Sequence, residues 1–167
     1  MITTLNSLVL FDFSKNNDTV KWSVVNDSVM GGRSEGSFAS SGKGTAIFKG
    51  TISLENNGGF SLVRYNTGKI DAESFSILEL HLKGDGKQYQ VRIQENRNDY
   101  FSYIYSFQTS GVWETIKVPL GDMYPSFRGR KLNSPNYAGK YLVEISFLIG
   151  NYKAESFSLE LQKALLR

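Results

Sequence analysis

Cysteine is missing from all 167 residues, histidine occurs once and proline three times. Without a thiol there can be no disulfide, no thiolate nucleophile and no cysteine-ligated zinc. The single histidine, His81, sits on the polar side of a well-patterned strand and reads as an exposed strand residue. A catalytic triad or a histidine-based metal centre would need partners that the sequence does not display. No catalytic residue, metal or cofactor is therefore expected. Long apolar runs are also lacking. The longest, from Tyr141 to Ile149, is interrupted by Glu144 and is too short to cross a bilayer, so no membrane insertion is expected. The opening Met-Ile-Thr-Thr-Leu-Asn-Ser has neither the basic start of a secretory signal nor the arginines of a transit peptide. The expected compartment is the cytoplasm. Positive charge is not concentrated either: 19 Lys and Arg stand against 16 acids, a net charge of +3. The nearest approach to a basic patch, Arg128, Arg130 and Lys131, reads as a solvated turn, and nucleic acid is not an expected partner.

What the chain does hold is aromatic and glycine-rich: 11 Phe, 9 Tyr, 2 Trp and 16 Gly. That balance favours strands joined by tight turns. Alternation with period two recurs along the chain, and no long helical period appears. Leu78, Leu80 and Leu82 alternate with Glu79, His81 and Lys83; Tyr89, Val91 and Ile93 alternate with Gln90, Arg92 and Gln94. With Gly84-Asp85-Gly86 between them, these runs predict a hairpin whose apolar residues point inward. Further strands are expected at Leu8 to Phe13, Trp22 to Val25, Thr45 to Leu54, Phe60 to Tyr65, Phe101 to Phe107, Trp113 to Val118, Val143 to Ile149 and Phe157 to Leu161. The turn Glu55-Asn56-Asn57-Gly58-Gly59 offers the positive φ of a tight hairpin around Ile52 and Leu62. Gly121 to Lys140 has no clear alternation and reads as one long ordered loop. The four alternate aromatics Phe101, Tyr103, Tyr105 and Phe107 are expected in the core, with a concave ligand face as the other reading. Many short strands without helices give an all-β antiparallel sandwich or barrel, in one domain over residues 1–167.

Few segments carry chemistry. Ser14-Lys15-Asn16-Asn17-Asp18 has oxygen ligands of the kind calcium prefers, but lacks the spacing of a calcium loop and reads as a turn. Two carboxylates would suffice for glycoside hydrolysis, yet none of the acids forms a recognisable signature. The most informative stretch runs from Trp22 to Ser34. A strand enters a loop of side-chain acceptors, Asn26 and Asp27, and then the pair Gly31-Gly32. Neither the spacing of a phosphate loop nor that of a dinucleotide fingerprint is present. The residues alone support a specified turn at least as well as a ligand site.

Trp22, Asn26-Asp27, Val29-Met30-Gly31-Gly32 and Ser34 resemble the hallmark of the complex I intermediate-associated protein family. The likeness continues through Phe48-Lys49-Gly50, Leu54 to Phe60, Arg64, Gly84-Asp85-Gly86, Tyr89, Trp113, Pro119 and Phe127-Arg128-Gly129. It implies a galactose-binding-domain-like jelly roll of the sort also used by carbohydrate-binding modules. It further implies a non-catalytic role in the assembly of a respiratory or other multi-subunit complex, in a compact stand-alone form. The blocks carry polar and glycine residues beyond what alternation requires. On that basis Asn26, Asp27, Met30, Gly31, Gly32, Asn57, Arg64 and Arg128 are expected to gather into a partner site. Arg64 and Arg128 would make the contacts, because a guanidinium presents a planar fork of donors. The rival expectation is that Asp27 pairs internally with one of these arginines and pins the loops. Three functions follow in order: a protein-binding assembly factor, a carbohydrate-binding module, and a carbohydrate-active enzyme.

Overall fold

The computed structural model describes residues 6–167, and every side chain among them except those of Val29 and Met30. Its strands are β1 (Leu8–Asp12), β2 (Trp22–Asn26), β3 (Glu35–Ser40), β4 (Ala46–Ile52), β5 (Ser61–Asp71), β6 (Ile77–Lys83), β7 (Gln88–Gln94), β8 (Ser102–Gln108), β9 (Trp113–Pro119), β10 (Tyr124–Phe127), β11 (Arg130–Lys131), β12 (Tyr141–Ile149) and β13 (Glu155–Leu166). All pairings are antiparallel, in two sheets. The first runs β3-β4-β13-β6-β9, and the second β11-β10-β8-β7-β12-β5-β2. In the first sheet β1 continues the line of β4: Leu161 pairs with Ala46 and Leu82, and beyond a bulge Lys163 pairs with Asp12 and His81. The protein is thus an all-β sandwich of jelly-roll type, as expected.

Between the sheets lies one apolar core. Leu78, Leu80, Leu82, Tyr89, Val91 and Ile93 are all fully buried in it, as their alternation requires. Around Trp22 the core is aromatic. Its indole stacks on Phe38 at 4.6 Å and on Tyr65 at 4.8 Å, and Phe11 meets it edge-on at 5.0 Å. Such pairs add about 0.5–1.5 kcal/mol each beyond the area they bury. Phe107, Tyr105 and Tyr103 pair with Tyr89, Val91 and Ile93, so the aromatic strand faces the core rather than a ligand.

Four expectations need correction. The runs around Leu80 and Val91 form no hairpin, because β6 belongs to the first sheet and β7 to the second. Gly84-Asp85-Gly86 instead carries the chain across the sandwich. A Cβ on Gly84 would stand 2.3 Å from the Thr109 side chain, and the Asp85 carboxylate accepts from the Tyr89 hydroxyl and the Ser158 amide. The Asn-Gly turn likewise joins β4 of one sheet to β5 of the other. Inside the long loop from Gly121 to Lys140, β10 and β11 make a two-strand extension of the second sheet, and β3 is a strand that the sequence pattern does not reveal. Finally, Glu79 is buried and His81 half-buried although both face away from the core. The reason is lateral: β6 is flanked by β13 and β9, and Glu79 is ion-paired to Arg167 and lies 3.3 Å from His81.

Because β6 is central and Leu80 is fully enclosed, Leu80→Ala leaves a cavity that the rigid sheets cannot close. We expect a loss of roughly 2–5 kcal/mol, read from the midpoint of urea unfolding.

Candidate functional site

The motif between β2 and β3 closes on a buried carboxylate. Asp27 begins a short 3-10 turn, Asp27–Met30, which Gly31 closes with a left-handed φ of 87°. Its side chain is completely buried. Oδ1 accepts from the Ser34 amide at 2.9 Å, and Oδ2 accepts from the Ser34 hydroxyl at 2.5 Å, the Gly59 amide at 2.5 Å and the Phe60 amide at 3.2 Å. Two glycines make the approach possible. A Cβ on Gly32 would lie 2.4 Å from the Asp27 carboxyl carbon, and one on Gly58 would lie 2.5 Å from Oδ2. Burial alone would raise the pKa of Asp27, but the bonds from Ser34, Gly59 and Phe60 outweigh it and hold the carboxyl below its ordinary range. Beside it Asn26 accepts from the Ser61 hydroxyl at 2.7 Å, which ties β2 to β5.

Asn26, Asp27, Gly31 and Gly32 therefore do come together, with the turn containing Asn57 drawn in through Gly58 and Gly59. The side chain of Met30 lies outside the described residues. The two arginines do not join them. Arg64 points from β5 to the opposite face of its sheet from Asn26, and it pairs across with Ser23. Arg128 sits in the β10–β11 turn at the far edge of the same sheet, its guanidinium over Phe127. Asp27 does pin the loops, but through backbone amides and Ser34 rather than through an arginine.

What Arg64 joins is a different constellation, on the outer face of the second sheet. Register places Ser23, Arg64, Ser146, Arg92, Ile104 and Tyr124 in one row across β2, β5, β12, β7, β8 and β10. In the adjacent row Glu144 of β12 lies between Asn66 and Gln94. A register shift between Leu142 and Glu144, opposite Asn66 to Ile70, leaves Leu142 in the core and Glu144 on this face. Glu144 approaches Arg64 only to 3.9 Å, beyond hydrogen-bond reach. Among the described residues, Nε of Arg64 and Nε of Arg92 are buried with no acceptor. Burial raises the pKa of Glu144 against the opposing pull of Arg64, Arg92 and Arg97. Burial also works against the charge on Arg92, while Glu144 supports it. Next to the row lies an open depression of about 510 Å³, lined by Lys21, Ser23, Asn66 and Arg97 among others. The sequence held one signal for this site. Glu144 is the charged interruption of the chain's most apolar run, and a lone charge there needs cations beside it.

The Asp27 cluster is expected to show itself in acid. Its folded pKa is depressed, so its contribution is complete above the unfolded carboxyl value of about 3.9. That contribution is lost as pH falls through the folded value. Asp27→Asn puts an amide donor against amide donors and should cost roughly 1.5–3 kcal/mol at neutral pH. Urea midpoints measured between neutral and acid pH should fall less steeply for the variant. A residual slope should remain, because the Arg167 and His81 contacts hold Glu79 below its ordinary value despite its burial.

Comparison with known proteins agrees with this architecture. A family 11 carbohydrate-binding module from Clostridium thermocellum, solved with a β-1,3-1,4-mixed-linked tetrasaccharide, superposes with a TM-score of 0.69 at 16% identity, covering 98% of this chain and 96% of that one. A family 30 carbohydrate-binding module gives a TM-score of 0.66 at 13% identity, over 97% and 88% of the two chains. At these identities the likeness is one of fold. In sequence, the mitochondrial complex I intermediate-associated protein 30 of Mus musculus is 28% identical over 145 residues, covering 73% of this chain. The chain spans 44% of the length of that mouse protein. The pattern of the complex I intermediate-associated protein 30 family matches residues 11–161. With that match over most of its length, the chain belongs to the complex I intermediate-associated protein 30 family.

Proposed function

We propose that this protein is a non-catalytic binding module that acts as an assembly factor, holding a protein client on the outer face of its second sheet. The observation that carries the reading is the pair of arginine Nε groups left without acceptors. An unmet buried donor costs about 1–3 kcal/mol, and the exposed part of the Arg64 guanidinium remains open to a ligand's carbonyl or carboxylate oxygens. Membership of a family whose mouse representative is named for association with complex I intermediates supports a multi-subunit complex as the client.

Carbohydrate binding is the second reading, favoured by the shared sandwich and by the amide and hydroxyl groups of Asn66, Gln90, Gln94 and Ser106 along this face. A neutral sugar ring, however, binds best against a free aromatic plane. The aromatic residue of the Arg64–Arg92 row is Tyr124, and Lys131 Nζ already lies 5.2 Å over its ring.

The two readings separate on one substitution. Arg92→Ala takes away one of the cations beside Glu144, so its melting temperature should fall while the fold is kept, which a melting curve checks first. Tagged wild-type protein recovered from its own host should carry respiratory-complex subunits, and Arg92→Ala should lose them through a deficit of about 2 kcal/mol or more. Retention of the wild type on a mixed-linkage glucan gel, with no such subunits recovered, would replace assembly by carbohydrate binding. Hydrolysis of that glucan, abolished by replacing a single carboxylate in a folded variant, would overturn the non-catalytic reading.

A further inference from the structure

We propose that this face recognises a carboxylate-rich stretch of polypeptide, an acidic segment of the client, with Arg64 and Arg92 as a paired fork over Ser146. This assignment rests on the reading of the face as a binding surface and adds the charge and chemistry of what it binds.

The geometry of the pair comes first. Arg64 and Arg92 lie on either side of Ser146, on strands separated by the full width of β12, so their backbones are about 9–10 Å apart. Ser146 keeps only 2% of its surface although it faces away from the core. The flanking arginines are its register neighbours on both sides, and they are near enough for the charge of Arg64 to act on Arg92. Two guanidiniums on strands either side of β12, the Arg64 side chain 43% exposed, make a receptor for an oxygen anion that can bridge them.

Charge points the same way. Arg64 and Arg92 occupy the row, while Lys21 and Arg97 line the adjoining depression. Glu144 is the acid set among them, and it reaches Arg64 only at 3.9 Å. The nearby Asp99 carboxylate already accepts from the Asn96 amide. Four cations therefore stand against two carboxylates, and a surface with that surplus selects an anion in both encounter and affinity. The depression of about 510 Å³ beside the fork gives room for several side chains rather than a lone ion. A polyuronate offers the same carboxylates on a sugar backbone. The lack of a free aromatic plane in the row favours the polypeptide.

The test uses the whole chain and a fluorescein-labelled oligoglutamate peptide, read by anisotropy at low and moderate salt. Oligoglutamine of equal length and an oligogalacturonate serve as competitors. Oligoglutamate should bind with an affinity that falls as salt rises, and oligoglutamine should not compete. Arg64→Gln and Arg92→Gln should each weaken binding by about 10-fold or more, with melting curves confirming the fold. Lys117→Gln, on an edge strand of the other sheet, should change nothing. Glu144→Gln should tighten binding several-fold by removing the competing carboxylate, a gain that no loss of folding could produce. The proposal is overturned if oligogalacturonate alone binds, if Lys117→Gln weakens binding as much as the arginine variants do, or if no oligoglutamate binding is seen. Failure here with respiratory subunits still recovered from the host would leave the assembly reading standing. Oligoglutamate binding without those subunits would leave the anion site and remove the assembly role.

Discussion

A single carboxylate holds the two halves of the family motif together. Asp27 is buried completely, and its oxygens collect donors from Ser34, Gly59 and Phe60, which come from two connections that lead into different strands. Removing a charge from water is costly, and it is tolerated here because four donors satisfy the anion. The surrounding sequence follows from that need. Gly32 and Gly58 have no side chain because the carboxylate occupies the space that a Cβ would take. Ser34 supplies two donors at once, and its hydroxyl also accepts from the Ser53 amide, which extends the bond network to the end of β4. The β2–β3 and β4–β5 connections are thereby locked to one another, and each passes from one sheet to the other.

The outer face of the second sheet obeys the opposite logic. At Asp27 every polar atom finds a partner. Around Ser146 the Nε atoms of two arginines do not, and Glu144 stays out of hydrogen-bond range of Arg64. Leaving buried donors without acceptors costs stability, which is why the proposed binding site is placed here rather than at Asp27. The two polar clusters flank the same strands, β2 and β5, on opposite sides: Asn26 and Ser61 on the inner side, Ser23 and Arg64 on the outer. The inner clasp thus lies directly behind the outer row, on the same two strands.

The outer face of the first sheet shows that burial of a charge does not by itself mark a site. Glu79 is as enclosed as many core residues, yet Arg167 and His81 surround its carboxylate. Its pairing closes the end of β13 onto β6. The contrast with Glu144 is one of contact: Arg167 hydrogen-bonds Glu79, whereas Arg64 stays 3.9 Å from Glu144.

The alternation of Leu78 to Lys83 and of Tyr89 to Gln94 determined which side chains enter the core, because the side-chain period of a strand is a local property of the backbone. The acceptors and glycines from Asn26 to Ser34 likewise announced a specified loop, since those residue types act on backbone within a few positions. The sequence did not disclose strand partners. A period of two is equally satisfied by a hairpin and by strands in facing sheets, so β6 and β7 looked paired when they lie in different layers. Arg64 and Arg128 share a likeness of motif and stand near opposite edges of one sheet, whereas Arg64 and Arg92 share none and stand astride Ser146. Only the tertiary structure decided this, because β12 enters between β5 and β7 from late in the chain, and neighbours across a sheet are chosen by packing of distant segments rather than by any local pattern.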